Sequence, residues 1–483
     1  MKKAETFEPR WFVLLLLALF LLSAAWLRLY HLGFYSLWHD ESFTWFFTRF
    51  PWSQMLAALR ADGVHPPIYY LLEKILSGIL GSNEGGLRTF SVAVDLVSIL
   101  LAIWLGWLCN GPLGGLVSGW FWAFNPFTLW YAQEARPYAF ATMLSLAALI
   151  LFRKMKTNPS RSTMLITVLV LALGLLTHFF FFLVIGALIL LALLQIRQSP
   201  AHFRNWTVLC LVAMIPLLLW VVWFFMQPKP MFSIGWITVP ILADLPLTVW
   251  NFLSGYAGLF SLPSTLFGVI TGLLLIVGLV AGESAKDNRQ LFLAGIILPL
   301  FLTWLVSLRR PVYMDRYYII LLPFLIPSLA CGGEQALRVI TGFRPAFLAW
   351  AVVVCILLGS GLFNAWRVHS DIKYAREDWQ GLATYLYQES PARSPFWFLH
   401  SEMIVPFEYY YREPYRLLAV GSPPACTEPC WWIYRQPYTP THAFTQSITI
   451  AERPWKPELP PLCQLLKRWD SPTGIVALKI VCR

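Results

Sequence analysis

The sequence predicts a polytopic α-helical membrane protein of about eleven spans, followed by a small C-terminal α/β domain outside the membrane. Three observations carry that prediction. Hydrophobic residues make up 58% of the 483 and charged residues only 13%, with a mean hydropathy of +0.61, a balance foreign to soluble globular domains. Several apolar runs are long enough to cross a bilayer. Beyond residue 363 the composition turns richer in charge and proline, and no spanning run remains. The net charge of +11 does not imply nucleic acid, because the cations fall mainly in short loops between apolar runs, where they report orientation. The 24 Trp, 35 Phe and 19 Tyr suit interfacial belts and a lipid-facing groove, and equally the filling of helix contacts.

The first span, residues 11–30, follows Lys2, Lys3 and Arg10 and is longer than a signal-peptide core, so it reads as an uncleaved anchor with its N-terminus inside. Further spans are expected at Leu87 to Leu108, Gly114 to Tyr131, Pro137 to Phe152, Met164 to His178, Phe179 to Ile196 and Trp206 to Met226. Leu262 to Ala281, Leu291 to Leu308, Tyr317 to Cys331 and Ala346 to Phe363 complete the set. The run Pro66 to Leu80 is short and carries Glu73-Lys74 in its middle, so it reads as an interfacial helix within a first outer loop, residues 31–86. That choice puts Arg153/Lys154/Lys156/Arg161, Arg197/Arg204, Lys286/Arg289 and Arg338/Arg344 all inside, as the positive-inside rule requires.

The same topology gathers polar residues on the outer face. Trp38-His39-Asp40-Glu41 sets two adjacent carboxylates just past the first span, where acidic groups are costly and read either as a functional site or as a solvated loop. His65, Arg88, Gln133-Glu134-Ala135-Arg136, His178 and the cluster Arg309, Arg310, Asp315, Arg316 join them. Arg309, Arg310 and Arg316 break the orientation rule. Either they snorkel at two helix ends, or their planar forks hold an anion at the bilayer surface, which suggests a lipid phosphate.

With these residues together, the chain resembles the GT-C membrane glycosyltransferases of the protein O-mannosyltransferase and aminoarabinose-transferase superfamily. Three blocks carry the resemblance: Asp40-Glu41 with His65-Pro66-Pro67-Ile68-Tyr69-Tyr70, then Leu87-Arg88-Thr89-Phe90-Ser91 opening a helix, then Tyr131-Ala132-Gln133-Glu134-Ala135-Arg136-Pro137-Tyr138. They cover about residues 1–150 and, more loosely, Arg316-Tyr317-Tyr318. Some branches of the family have an aspartate where Glu134 stands here. The resemblance implies a polyprenyl-phosphate-linked sugar as donor, an acceptor hydroxyl on a protein, lipid or glycan, and direct, inverting displacement. It makes Asp40 the base, with Glu41 and Glu134 orienting the acceptor, pairing with arginines or binding a metal. Arg88, Arg136, Arg309, Arg310, Arg316 and Tyr317 are the candidates for the donor phosphate.

The chemistry can be argued without the family. A sugar phosphodiester already carries a good leaving group, so what remains is to activate the acceptor hydroxyl and to neutralise charge building on phosphate. A carboxylate base does the first, contributing about 10²- to 10⁴-fold, and fixed arginines do the second. His39, His65 and His178 with these acids supply ligand types for zinc or another divalent ion, but scattered histidines also cap helices or hydrogen-bond locally. A metal is therefore left open. No glycine-rich phosphate cradle is present, which argues against a soluble nucleotide sugar.

The sequence divides into a transmembrane catalytic region, 1–363, and an extracytoplasmic α/β domain, 364–483. In the latter, Trp379, Leu382, Ala383 and Leu386 share one helix face, while Pro395 to Leu399 and Gly474 to Val481 read as strands. Tyr409-Tyr410-Tyr411 suits packing more than sugar stacking. Cys109, Cys210, Cys331 and Cys355 read as packing residues in or beside spans. Cys426 with Cys430 and Cys463 with Cys482 are the expected disulfides of an oxidising compartment, with a zinc site as the competing reading. The whole reads as a sugar transferase at the outer face of a bacterial-type plasma membrane. The alternative is a lipid-linked-sugar transporter without transferase activity, which would need polar groups along a path where Asp95 is the main ionisable residue; a third is a structural scaffold.

Overall fold

A computed structural model describes residues 10–227, 237–256, 261–341, 359, 362, 363, 366, 377–421, 427–435, 459, 463–471 and 473–482. The chain opens with α1 (Arg10–Leu29), then three short helices, α2 (His39–Thr48), α3 (Trp52–Asp62) and α4 (Ile68–Leu80). Next come α5 (Glu84–Phe124), α6 (Pro126–Ala132), α7 (Tyr138–Thr157), α8 (Arg161–Leu175), α9 (Phe181–Leu194) and α10 (Pro200–Phe225). After α11 (Asp244–Ser254) and α12 (Leu262–Val280), the helices Ala285–Ser307 and Asp315–Val339 end the described membrane region. Each expected span up to Cys331 overlaps these helices, and among the described residues six of them are long and apolar enough to cross a bilayer. Ala346 to Phe363 lies almost wholly outside the described residues.

The expected span Leu87 to Leu108 and most of Gly114 to Tyr131 share α5 as two limbs of a hairpin, the end of the second lying on α6. The helix breaks at Asn110 (φ −141°, ψ 33°) and Gly111 (φ 63°, ψ −159°), with Pro112 opening the second limb. Gly111 supplies a left-handed φ that other residues resist, and Pro112 gives up only an N–H that a first turn leaves unused. Gly106 lets the limbs close up, because a side chain there would collide with Gly114 O and Ser118 Oγ.

α4 has 13 residues, about 20 Å of helix against a hydrocarbon core of about 30 Å. It packs against α2 and α5, and its Ile68 N–H bonds Leu176 O at the turn after α8. Within the bundle, Asp95 is not a stray charge. Arg28 Nε lies 2.6 Å from its Oδ2, Trp122 Nε1 donates to its Oδ1, and Arg28 also donates to Ala24 O, Ala123 O and Trp122 O. This saturated pair fastens α1 to both limbs of α5.

The C-terminal part is a five-stranded sheet of order β2-β1-β3-β5-β4, made of β1 (Pro395–Phe398), β2 (Arg416–Val420), β3 (Cys430–Arg435), β4 (Cys463–Asp470) and β5 (Ile475–Cys482). β1 runs parallel to β2 and β3, while β5 is antiparallel to β3 and β4. Helix Trp379–Glu389, capped by Asp378 on Gly381 N–H, lays the expected Trp379, Leu382, Ala383 and Leu386 on Phe396, Trp431, Ile433 and Ala477. Cys463 and Cys482 are disulfide-bonded, as expected. Cys430 is also disulfide-bonded, and Cys426 lies outside the described residues. Cys109, Cys210 and Cys331 are free thiols, while Cys355 is outside the described residues.

The sheet domain rests on the first inter-helix loop. Tyr409 OH bonds Ser82 O, Tyr410 OH links Leu37 N–H to Glu84, and Gln380 N–H bonds Ser36 Oγ. Tyr411 instead packs with Phe396 and Phe407 in the sheet domain's core. Ser82 and the sheet must therefore share a membrane face. Cysteines placed at Ser82 and Arg393 should react with an impermeant thiol reagent from the same side, and one at Asn158, in the α7–α8 turn, only from the other. Labelling of Ser82→Cys and Asn158→Cys from one side would refute this topology.

Candidate active site

α2 begins at an extended Trp38, which provides no side-chain cap. The cap comes from the sheet domain: Glu377 Oε2 accepts the His39 N–H at 3.0 Å and the Trp379 indole N–H at 2.8 Å, while its Oε1 pairs with Arg435 at 2.8 Å. Burial opposes the Glu377 charge, but Arg435 and His39 hold its carboxyl below the ordinary range. Asp40 and Glu41 then fall in the first turn, where the helix dipole favours acids. Successive helix positions diverge by about 100°, so the two carboxylates face different surroundings.

Glu41 turns inward and is fully buried. Arg88, one turn into α5 behind the Asn83 cap, grips it in a two-point pair, Nε to Oε1 at 2.8 Å and Nη2 to Oε2 at 2.7 Å. Ala135 N–H adds 2.9 Å to Oε1. The other N–H groups of Arg88 go to Leu32 O, Tyr35 O and Ser36 O. All five donors are therefore spent. Arg88, expected at the donor phosphate, is instead the fastening of the loop before α2, and Glu41 is its partner rather than a free acid.

Asp40 pairs with a different arginine. Its Oδ2 lies 3.1 Å from Arg316 Nη1, with side-chain exposures of 14% and 11%, so solvent reaches the pair from one side. Burial pushes the Asp40 carboxyl up, and the charges of Arg316 and Arg136 outweigh it, holding it at about 2. Arg316 is aimed by its neighbour Asp315, whose carboxylate accepts Arg316 N–H, Tyr256 OH and Asn251 Nδ2–H at 2.7, 3.2 and 3.0 Å. The guanidinium lies near the rings of Trp38 and Tyr317, 5.5 and 5.6 Å from their centroids.

Arg136, from the turn between α6 and α7, closes the other side. Its Nη1 donates to Asp40 O at 3.1 Å and Tyr70 OH at 3.2 Å, and its Nη2 to His65 Nε2 at 2.8 Å. Its buried Nε–H has no partner among the described residues. Tyr317 packs against Tyr138, His178 and Phe180. Burial and Arg136 hold His178 neutral, lowered to about 3, and burial likewise lowers His39 against the pull of Asp40. Glu134 is buried in the same turn as Arg136, within electrostatic reach of Tyr131 and Tyr256.

The structure thus brings Asp40, Arg136, Arg316, Tyr317, His65 and His178 to one face, with Glu41, Arg88 and His39 fixed beside them. Arg309 and Arg310 sit exposed on the turn before Asp315 and make no ion pair among the described residues. For a metal the donor set fits poorly: His65 spends both ring nitrogens on Asp62 and Arg136, and no group of three or more His, Cys, Asp or Glu converges among the described residues. Asp62, Tyr70, Asn251, Tyr256 and Glu377 were not singled out from the sequence. Two of them left a signal: Tyr70 stands in the block that opens with His65, and Asp62 is the acid opening an Asp-Gly turn before it.

The family model described as dolichyl-phosphate-mannose-protein mannosyltransferase matches residues 64–223, which span α4 to α10 and include His65, Arg88 and Arg136. ArnT from Cupriavidus metallidurans in its apo state matches at 13% identity over 96% of this chain and 97% of that one, with a TM-score of 0.58. The chain shares the fold of ArnT. The same ArnT bound to undecaprenyl phosphate superposes with a TM-score of 0.59 at equal identity and coverage. Archaeal oligosaccharyltransferase AglB from Archaeoglobus fulgidus, in complex with an inhibitory peptide and a dolichol-phosphate, aligns at 13% identity over 85% of this chain and 65% of that one, with a TM-score of 0.43. No curated protein matches the chain by sequence.

Cutting Arg88 back to Ala leaves Glu41 charged and buried, and should cost about 3–5 kcal/mol. Denaturant unfolding in detergent should show that loss. A change below about 1 kcal/mol, the range of an exposed pair, would contradict the buried geometry.

Proposed function

We propose that the protein transfers a sugar from a polyprenyl-phosphate donor to an acceptor hydroxyl at the outer face of the membrane. The observation that carries this reading is the grouping of Asp40 with two inward guanidiniums, one of which, Arg136, keeps a buried N–H unspent. ArnT's complex with undecaprenyl phosphate supports the donor class. Arg136 and Arg316 hold the phosphate, Tyr317 and Trp38 flank the donor, and exposed Arg309 and Arg310 meet the headgroup region from the rim. Glu134 steadies the acceptor side.

In the reaction the acceptor oxygen bonds to the anomeric carbon as the carbon–oxygen bond to phosphate breaks, and the configuration inverts. The acceptor's proton passes to Asp40, and the bond's electrons leave on polyprenyl phosphate. A carboxylate held at about 2 is a weak base. Donor binding resolves this, because phosphate competes for Arg316 and returns basicity to Asp40. A transporter would need a polar path, yet Asp95 is spent on Arg28 and Trp122.

The test is purified protein with a synthetic polyprenyl-phosphate sugar and a panel of hydroxyl acceptors. Asp40→Asn should lower transfer by at least about 10²-fold with donor binding largely kept. Wild-type rates in that variant would remove Asp40 as base, and absence of transfer by wild type to every acceptor would favour the transporter. Arg316→Lys keeps charge but loses the fork, and should weaken donor binding or turnover in a protein that still folds. If alanine variants of Arg309, Arg310 and Arg316 all keep full donor affinity and rate, the cluster is a snorkelling cap.

A further inference from the structure

Arg136 rests on an unusual support. Its Nη2 points at a histidine ring nitrogen, His65 Nε2, 2.8 Å away. An arginine side chain only donates, so that nitrogen must accept, and a neutral imidazole whose Nε2 accepts carries its proton on Nδ1. His65 Nδ1 lies 2.6 Å from Asp62 Oδ2. Asp62 is thus placed to select the one tautomer of His65 that can hold Arg136. The other tautomer would set two N–H groups against each other.

We propose that Asp62 is a positioning residue: it fixes the tautomer of His65, and His65 in turn aims the Arg136 guanidinium at the reacting group. The link to the site is direct, since Arg136 Nη1 bonds the backbone oxygen of Asp40 itself. The local sequence builds the support. α3 ends at Asp62, Gly63 turns the chain at φ 71°, and the same Asp62 oxygen accepts the N–H groups of Val64 and His65. Pro66 then biases His65 away from helical geometry, and α4 opens after Pro67. The carboxylate therefore orients both the backbone and the ring of His65. Second partners of this kind decide which ring nitrogen does the work.

The structural part of Asp62's role can be separated from the tautomeric part. The terminal amide of a glutamine reaches the place of Nε2 with an oxygen that accepts from Arg136 and needs no tautomer. In the wild-type background, Asp62→Ala, which removes the acceptor of Nδ1–H, should lower kcat/KM for the polyprenyl-phosphate sugar by about tenfold or more, the scale set by misaiming a positioned group. Measured against His65→Gln alone, the same Asp62→Ala change in the His65→Gln background should cost less than about twofold. Equal losses in both backgrounds would reduce Asp62 to a turn former and overturn the proposal.

These rates rest on the transferase reading, so a second readout is independent of it. In protein labelled with ¹⁵N-histidine, the His65 resonances, assigned by their loss in His65→Gln, should show Nδ1 protonated in wild type and a shift toward the Nε2-protonated form in Asp62→Ala. A wild-type ring protonated on Nε2 would refute the proposal. If wild type transfers no sugar at all, the functional reading fails while the tautomer measurement still decides this one.

Discussion

A guanidinium buried with nothing to bond is among the most expensive groups a protein can carry, and Arg88 avoids that cost by spending every N–H on the loop around α2. Two of its bonds lock Glu41, 47 residues away in sequence, and three lock the carbonyls of residues 32, 35 and 36. Because α2 is held through Glu41, its rotation is fixed, and the neighbouring Asp40 can only look the other way. Ala135 N–H on Glu41 and Thr44 Oγ1 on Ala135 O tie the turn that carries Arg136 to the same anchor. The geometry of Asp40, Arg136 and their neighbours therefore depends on a pair that takes no part in the proposed reaction. Such a pair adds little over a well-packed apolar substitute, but it leaves α2 no second register.

The sheet domain adds a second restraint at the other end of that helix turn. Glu377 caps His39 from 338 residues away, and Trp379 and Arg435 hold Glu377 in place. Tyr409 and Tyr410 clamp the start of α5 nearby. A domain that touches the membrane region mainly at the loop bearing Asp40 is well placed to stiffen that loop. Its tyrosines spend their hydroxyls on this contact, which explains why the aromatic run is used for packing.

How much of this was legible follows from what decides each feature. Spans are set by apolar length, which any window of sequence carries, and Arg316 stood out because it broke the orientation rule. Helix Trp379–Glu389 was readable from its spacing. β2 and β4 were not: they are outer strands of the sheet, largely exposed along their length, and β4 carries Lys467 and Arg468, so neither shows the alternation of a half-buried strand. Asp40 and Glu41 looked alike in sequence and parted only because a helix turns about 100° per residue. Glu377 could not be found, since its partner comes from the far end of the chain. Arg88 was misplaced for the same reason: a sequence shows that a guanidinium is present, but not how many of its donors are already spent.

The charges at the site support the proposed role of Asp40 by a balance that no single residue shows. Arg136 and Arg316 bring two positive charges, which face the carboxyl groups of Asp40, Asp62 and Asp315, while His65 accepts from Arg136 as a neutral ring. A polyprenyl-phosphate sugar enters with one negative charge, shared over oxygens that Arg136 and Arg316 can reach. As the sugar departs, a second negative charge builds on the phosphate. If Asp40 takes the acceptor's proton in the same step, its own charge disappears as the phosphate's grows, and the total within this half-buried space stays constant. Charge created without such compensation would have to be solvated where water reaches only from one side. The pairing of a carboxylate with the phosphate-binding arginines therefore lets the negative charge move from base to leaving group without a net change.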